Sequence, residues 1–253
     1  MTVYIIGAGP GDPELITLKA KAILERADVV VYAGSLINPE ILKYAKTGAE
    51  LYDSAGLTLE EIFKIIKKAA NEGKVVARLH SGDPSLYGAT QEQMALLRKE
   101  GINYKVIPGV SSIFAAAASL KREYTVPDVS QSLIITRLAG RTSVPEKEKL
   151  GELARHRCSM GVFLSAHMIE EAVEELKRGY GGAAPVAVVY RVSWKDEKII
   201  TGKLSDIASK VKAAGVNKTA IILVGDFLSA KDKRSRLYSG EFEHSFRTKK
   251  EEL

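Results

Sequence analysis

The sequence predicts an α/β protein built as two α/β domains with a crevice between them, and three observations lead there. Short apolar runs that read as buried strands alternate with amphipathic stretches that read as helices along nearly the whole chain. The 253 residues suffice for two sizeable cores. Residues Lys121 to Ser130 carry charge, Pro127 and no apolar period, so they divide an N-terminal domain (1–120) from a C-terminal domain (131–230), with a charged tail at 231–253.

The first domain opens with a strand, Val3 to Ile6, followed by Gly7-Ala8-Gly9-Pro10-Gly11-Asp12-Pro13. Asp12 suits a helix cap and Pro13 a first helical position, with Leu15, Leu18 and Ala22 expected on the buried face. The spacing is G-x-G-P-G rather than G-x-G-x-x-G. The next strand, Val29 to Tyr32, ends in Ala33-Gly34-Ser35 with no acid to hold a ribose, so a pyrophosphate cradle is not expected. A helix from Thr58 to Ala70 has a Thr58/Glu61 capping box and an apolar stripe of Leu59, Ile62, Phe63 and Ile66.

The strand Lys74 to Leu79 then runs into His80-Ser81-Gly82-Asp83-Pro84-Ser85-Leu86-Tyr87-Gly88, ahead of a helix over Ala89 to Lys99. This is a loop at the carboxyl end of a strand, where open α/β sheets collect ligands. Gly82 admits close approach, Asp83 supplies a carboxylate and Pro84 sets the turn. The strand Tyr104 to Ile107 leads likewise into Pro108-Gly109-Val110-Ser111-Ser112 and an alanine-rich helix, Ile113 to Leu120. Ser111 or Ser112 is either its N-cap or a ligand-facing hydroxyl.

In the second domain, strands are expected at Leu133 to Thr136, Gly161 to Leu164, Val186 to Tyr190 and Ala220 to Val224, with an edge strand at Lys198 to Gly202. Helices are expected at Glu146 to His156, at Met168 to Arg178 closed by Gly179, and at Ser205 to Ala213. Arg137 and Arg141, in a glycine-containing loop, are either ordinary surface arginines or forks for substrate carboxylates. His167 reads as a helix-start residue rather than a base, and Trp194 as packing or a stacking platform. In the tail, Leu237, Tyr238, Phe242 and Phe246 are candidates to pack back.

Composition narrows the function classes. Charged residues at 27% and hydrophobic residues at 45% are ordinary for a soluble globular protein. No apolar run reaches the roughly 18 residues of a membrane span, and no basic leader precedes Thr2, so a cytoplasmic protein with no membrane partner is expected. The single Cys158 excludes an internal disulfide and reads as a small core residue. Four isolated histidines give no metal-ligand spacing, and no protein-bound metal is expected. A net charge of +6 fits nucleic acid or a small substrate rich in carboxylates.

The chain resembles the tetrapyrrole (corrin/porphyrin) methylases. The resemblance lies in Gly7 to Pro13 with Leu15 to Ala20, Ser81-Gly82-Asp83-Pro84, Pro108 to Ser112, and Thr219 to Gly225. Within that family it is similar to the precorrin-4 C(11)-methyltransferases, through Tyr32 to Ile37, His80 to Gly88, Val129-Ser130-Gln131, Thr136-Arg137, Gly140-Arg141-Thr142, Phe163-Leu164-Ser165, Tyr190 to Glu197 and Leu237-Tyr238 to Phe246-Arg247. It departs from them at Lys195, where proline is expected, and at Ser81, where sister enzymes carry glycine or threonine.

The resemblance implies S-adenosylmethionine (SAM) bound in the crevice, a homodimer, and transfer of a methyl group to carbon 11 of (cobalt-)precorrin-4 in cobalamin biosynthesis. It places Pro10, Ser81, Gly82, Asp83, Leu86, Ser111, Ser112, Leu164, Val192 and Ala220 at the cofactor, with Asp83 positioning the reacting end. It places Gly9, Asp12, Ser35, Arg137 and Arg141 at a multiply carboxylated tetrapyrrole. SAM has no phosphates, which agrees with a glycine loop lacking the dinucleotide fingerprint. Methyl transfer asks for alignment more than acid-base work. The cobalt-bearing substrate is favoured over the metal-free one. Alternatives are another precorrin or uroporphyrinogen, ribosomal RNA, a nicotinamide-dependent dehydrogenase, and a non-catalytic binding module. The basic residues are scattered rather than striped, which argues against nucleic acid.

Overall fold

The computed structural model describes residues 2–231 together with 235, 242, 243, 245 and 246. The chain forms two compact units, 1–120 with Tyr190–Lys198, and 121–189 with 199–253. The segment Tyr190–Lys198, expected in the C-terminal domain, thus belongs to the first unit. Residues 121–130, expected as a linker, belong to the body of the second. Tyr124 is buried there against Phe227, ring centroids 5.0 Å apart, and its carbonyl accepts a 2.6 Å hydrogen bond from the Ser159 hydroxyl. One buried aromatic among charged neighbours leaves no apolar period to read.

The first unit contains β1 (Thr2–Gly7), β2 (Val29–Tyr32), β3 (Glu50–Asp53), β4 (Val76–His80) and β5 (Asn103–Ile107), in the spatial order β3-β2-β4-β1-β5. All four pairings are parallel. Helices α1 (Leu18–Leu24), α2 (Leu59–Asn71) and α3 (Thr90–Lys99) lie between them in sequence, and α4 (Ser112–Leu120) follows β5. Ile6, Val30, Ala77 and Leu79 pack with Ala20, Ile23 and Leu24 of α1. On the other face Val3, Ile5, Val29, Val31 and Val76 pack with Ile62 and Ile66 of α2 and Leu97 of α3. Burial on both faces is why these strands read as continuous apolar runs.

Two local expectations differ here and one holds. The chain after Pro13 makes a 3-10 turn, Pro13–Leu15, and passes through extended Ile16 before Thr17 caps α1. The restart rotates the helix, so Leu18 is 86% exposed, Leu15 and Ala22 are exposed, and Ala20, Ile23 and Leu24 are buried instead. The edge strand β3, mostly exposed, carries no apolar alternation and was not expected. The Thr58/Glu61 capping box is formed in both directions.

The second unit contains β6 (Leu133–Arg137), β7 (Ser159–Phe163), β8 (Pro185–Tyr190), β9 (Lys198–Lys203) and β10 (Ala220–Val224), in the order β6-β7-β10-β8-β9. β6 is parallel to β7 and β10 is antiparallel to it, and β9 takes an edge as expected. Helices α5 (Leu150–Ala154), α6 (Ile169–Tyr180) and α7 (Ile207–Ala213) join them. The helix expected over Glu146 to His156 is a 3-10 turn, Glu146–Glu148, then α5, because Lys149 is extended between them. Gly179 does not close α6. A Cβ there would lie 2.1 Å from the Ala154 carbonyl, so it admits α5, and Gly181 at φ +77° ends the helix. Of the tail residues expected to pack back, Phe242 and Phe246 are exposed, while Leu237 and Tyr238 lie outside the described residues.

Candidate active site

β1 lies between β4 and β5, so the loops leaving these three parallel strands share one sheet edge. They are joined main chain to main chain. Gly9 donates to the Gly82 carbonyl at 3.2 Å and Gly82 to the Gly9 carbonyl at 2.8 Å, extending the sheet by one antiparallel bridge. Both glycines have positive φ, +80° and +64°. A Cβ on Gly109 would lie 2.2 Å from the Gly82 carbonyl oxygen and 2.7 Å from Gly7 Cα. The Cβ position of Gly82 is 3.4 Å from Ser111 Cα. Thus Gly9, Gly82, Ser111 and Ser112 are neighbours, though they come from three loops.

Asp83 fastens two of these loops. One carboxylate oxygen accepts from the Gly109 amide at 2.8 Å, and the other from the Ser85 amide at 2.8 Å and the Ser85 hydroxyl. Burial alone would raise its pKa, but these hydrogen bonds outweigh it and hold the carboxyl below its ordinary value. Leu86, half-buried, donates its amide back to the Asp83 carbonyl at 3.3 Å. Ser81 is exposed and Ser111 buried, with Ser112 half-buried at the start of α4. Asp12 caps the turn after it through the Glu14 amide, at 2.9 Å. Ser35 is exposed in the loop after β2, where the neighbouring Gly34 amide donates to Asp53 at 2.9 Å. Asp53 also accepts from Ala55, so this acid is committed to main chain.

Trp194 is a packing residue against the first glycine loop. Its indole N–H donates to the Pro10 carbonyl at 3.2 Å, and Pro10 and Val192 are both buried. Beneath the Ser81–Gly88 loop, β4 contributes two buried polar side chains. Arg78 donates to Gln93 at 3.1 Å, Ser54 at 2.9 Å and the Val31 carbonyl at 3.4 Å, all neutral acceptors, and burial lowers its pKa to about 10. His80 is 6% exposed, and its Nε2 has no partner among the described residues. Burial, and then the Arg78 charge, push its pKa down to about 3, so the imidazole is neutral.

The second unit carries the remaining positions. Arg137 donates to the carbonyls of Leu138 at 3.2 Å, Thr142 at 3.1 Å and Ser143 at 2.6 Å, so its guanidinium shapes the loop in which Arg141 is exposed. Leu164 follows β7 at φ +55° and is 54% exposed, an unusual torsion for a bulky residue. Next to it, the fully buried Ser165 accepts from the Leu138 amide at 2.9 Å and donates to the Phe163 carbonyl at 2.7 Å. The register Ile222 opposite Val162 puts Ala220, at the start of β10, level with Leu164.

Sequence reasoning did not find Gly7, Gly109, Ser165 or Arg78 as site-shaping residues. The signal available for the last was a basic residue inside an apolar strand. His167 lies exposed in a 3-10 turn, Ala166–Met168, just ahead of α6. Cys158 is half-buried and burial raises its thiol pKa.

Residues 2–208 match the family described as tetrapyrrole (corrin/porphyrin) methylases. The chain belongs to that family. A relative from Methanocaldococcus jannaschii, a cobalt-precorrin-4 C(11)-methyltransferase, is 57% identical over 97% of this chain and 95% of its own. The X-ray structure of the cobalt-precorrin-4 methyltransferase CbiF superposes with a TM-score of 0.87 at 46% identity, over 90% of this chain and 95% of that one. A uroporphyrin-III C-methyltransferase from Thermus thermophilus, complexed with S-adenosyl homocysteine, superposes with a TM-score of 0.77 at 27% identity, over 90% and 99%. The knitted glycine loops offer close main-chain approach at Gly9 and Gly82.

Proposed function

We propose that the chain is a SAM-dependent C-methyltransferase that methylates carbon 11 of cobalt-precorrin-4, giving cobalt-precorrin-5 in cobalamin biosynthesis. The observation that carries this reading is 57% identity over 97% of the chain to a cobalt-precorrin-4 C(11)-methyltransferase. The joined loops after β1, β4 and β5 supply the geometry.

SAM brings a methyl group already activated on a sulfonium. The protein's work is to orient and to exclude water, which is worth up to roughly 7–11 kcal/mol in aligned reactions. In this reading Pro10, Ser81, Gly82, Leu86, Ser111, Ser112 and Val192 of the first unit hold the cofactor. Asp83, with both oxygens engaged, acts through the Gly109 and Ser85 amides and so positions the loop instead of touching the reacting atoms. Gly9, Asp12 and Ser35 of the first unit receive the tetrapyrrole; within the second unit, Arg137 sets the loop that carries Arg141, a fork suited to carboxylates. The metal travels with the substrate, and among the described residues no group of three or more His, Cys, Asp or Glu is arranged to hold one. The finer assignments are a homodimer working in the cytoplasm; among the described residues no helix is long and apolar enough to cross a membrane.

The test is product analysis with methyl-labelled SAM and, separately, uroporphyrinogen, the earlier precorrins, and precorrin-4 with and without cobalt. Label at carbon 11 of the cobalt form is expected. Labelling of uroporphyrinogen or an earlier precorrin instead would move the enzyme to a sister step, and labelling of the metal-free form alone would overturn the cobalt assignment.

A further inference from the structure

Three consecutive residues of the first glycine loop, Pro10, Gly11 and Asp12, are gripped by a segment from the far side of the sequence. The Trp194 indole donates to the Pro10 carbonyl at 3.2 Å, and the Asp12 amide donates to the Ser193 hydroxyl oxygen at 2.9 Å. A Cβ on Gly11 would lie 2.0 Å from Trp194 Cδ1 and 2.9 Å from the Val192 carbonyl oxygen. Gly11 is not among the positive-φ glycines, so what it provides is room for the indole. The Asn38 side-chain amide donates to the Gly11 carbonyl at 2.9 Å.

The gripping segment is strained. Arg191 and Ser193 both stand in the left-handed region, at φ +44° and +64°. Such torsions persist only where the surroundings over-determine them. Here they are over-determined: Glu197 accepts from the Ser193 amide at 2.6 Å and from the Ser119 hydroxyl at 3.0 Å. The Arg191 guanidinium lies 4.9 Å over the Trp194 ring and pairs with Asp196 at 2.6 Å. Between the two strained residues sits buried Val192.

We propose that Trp194, braced through Glu197, is a positioning residue that fixes the Gly9–Asp12 loop for the methyl donor. The assignment rests on the methyltransferase reading above, in which Pro10 and Val192, the two positions this clamp joins, face the cofactor. The indole is the chain's single tryptophan, so it also reports on the loop it holds.

Three measurements test it: S-adenosylhomocysteine binding by calorimetry, the same titration by tryptophan emission, and steady-state methyl transfer. In the wild-type protein the emission change should follow the calorimetric binding curve. Trp194→Phe keeps the ring and loses the donor, so KM for SAM should rise about fivefold, the effect of one hydrogen bond. KM for the tetrapyrrole should rise by less than that for SAM, since the lost bond is to Pro10 while Gly9 and Asp12 keep their own main-chain and Ser193 bonds. Gly11→Ala should act in the same direction in the wild type and add less to Trp194→Ala than it costs alone, because the added methyl then enters the space the indole left and meets only the Val192 carbonyl oxygen. A merely structural role would lower the melting temperature and leave the KM for SAM unmoved. Wild-type binding with silent emission, together with unchanged affinity in Trp194→Phe and Gly11→Ala, would overturn the clamp and leave the methyltransferase reading standing. Failure of the wild-type protein to bind S-adenosylhomocysteine would overturn both.

Discussion

In the first unit the loops after β1, β4 and β5 are joined main chain to main chain, through the Gly9–Gly82 pair and the close approach of Gly7 to Gly109. In the second, the loops after β6 and β7 hang on side chains, with Arg137 holding three carbonyls and Ser165 bridging Leu138 to Phe163. The two designs differ in what they tolerate. A main-chain junction is rigid and leaves no space for a Cβ, whereas a side-chain brace can be removed singly and costs only its own bonds.

The largest effect should therefore fall on Gly109→Ala, whose methyl would meet the Gly82 carbonyl at 2.2 Å. Methyl transfer is expected to drop roughly a hundredfold or more, since overpacking against main chain costs upwards of about 3 kcal/mol. Gly140→Ala in the second unit should stay within about twofold, because its nearest neighbour is the flexible Met168 tip at 3.1 Å. Equal losses in the two variants, assayed side by side, would break the contrast.

Next comes pH. His80 in the first unit titrates near 3 when folded and near 6.5 when unfolded, so the unfolded chain binds the extra proton. Stability from this residue is complete above about pH 6.5 and is lost as pH falls toward 3, by about 1.4 kcal/mol per unit. Denaturant unfolding at several pH values should show that slope, and His80→Gln should flatten it.

A smaller loss is expected from Arg137→Met, about tenfold in KM for the tetrapyrrole with S-adenosylhomocysteine affinity unchanged, as charge-assisted bonds to three carbonyls disappear. Lost cofactor binding in that variant would mean the brace serves more than the Arg141 loop. The smallest effect belongs to Lys195→Ala. Its ion pair with Glu40, 2.6 Å long, joins side chains 85% and 44% exposed, so stability and turnover should change by no more than about 0.5 kcal/mol, measured by melting and rate.

Much of the first unit was legible because a parallel sheet buried on both faces writes its strands as apolar runs, as at Val29 to Tyr32 and Val76 to Leu79. The exposed β3 wrote no such run. Leu15, Leu18 and Ala22 fit a helical stripe only if the break at Ile16 is overlooked, and a single extended residue leaves little trace in composition. The site loops stood out as Gly, Pro and Asp clusters after strands. Their mutual contacts did not, since Gly7 meeting Gly109 is a tertiary fact with no local spelling. Arg137 was found and its use was not, because a guanidinium fork suits carbonyls as well as carboxylates. Ser193 finds its partner 181 residues away, so no window on the sequence contains both.

Gly7 and Gly109 own no functional group, yet they stand at the point where the loops of β1, β4 and β5 converge. In a saturation-mutagenesis map they would score as severely as any residue that touches a ligand. That severity would record only the spacing of adjacent main chains. Mapping this enzyme's contacts by mutational sensitivity alone would thus overstate the ligand footprint at its stiffest spot, and tolerance at Ser81 or Arg141 would say more about chemistry than intolerance at either glycine.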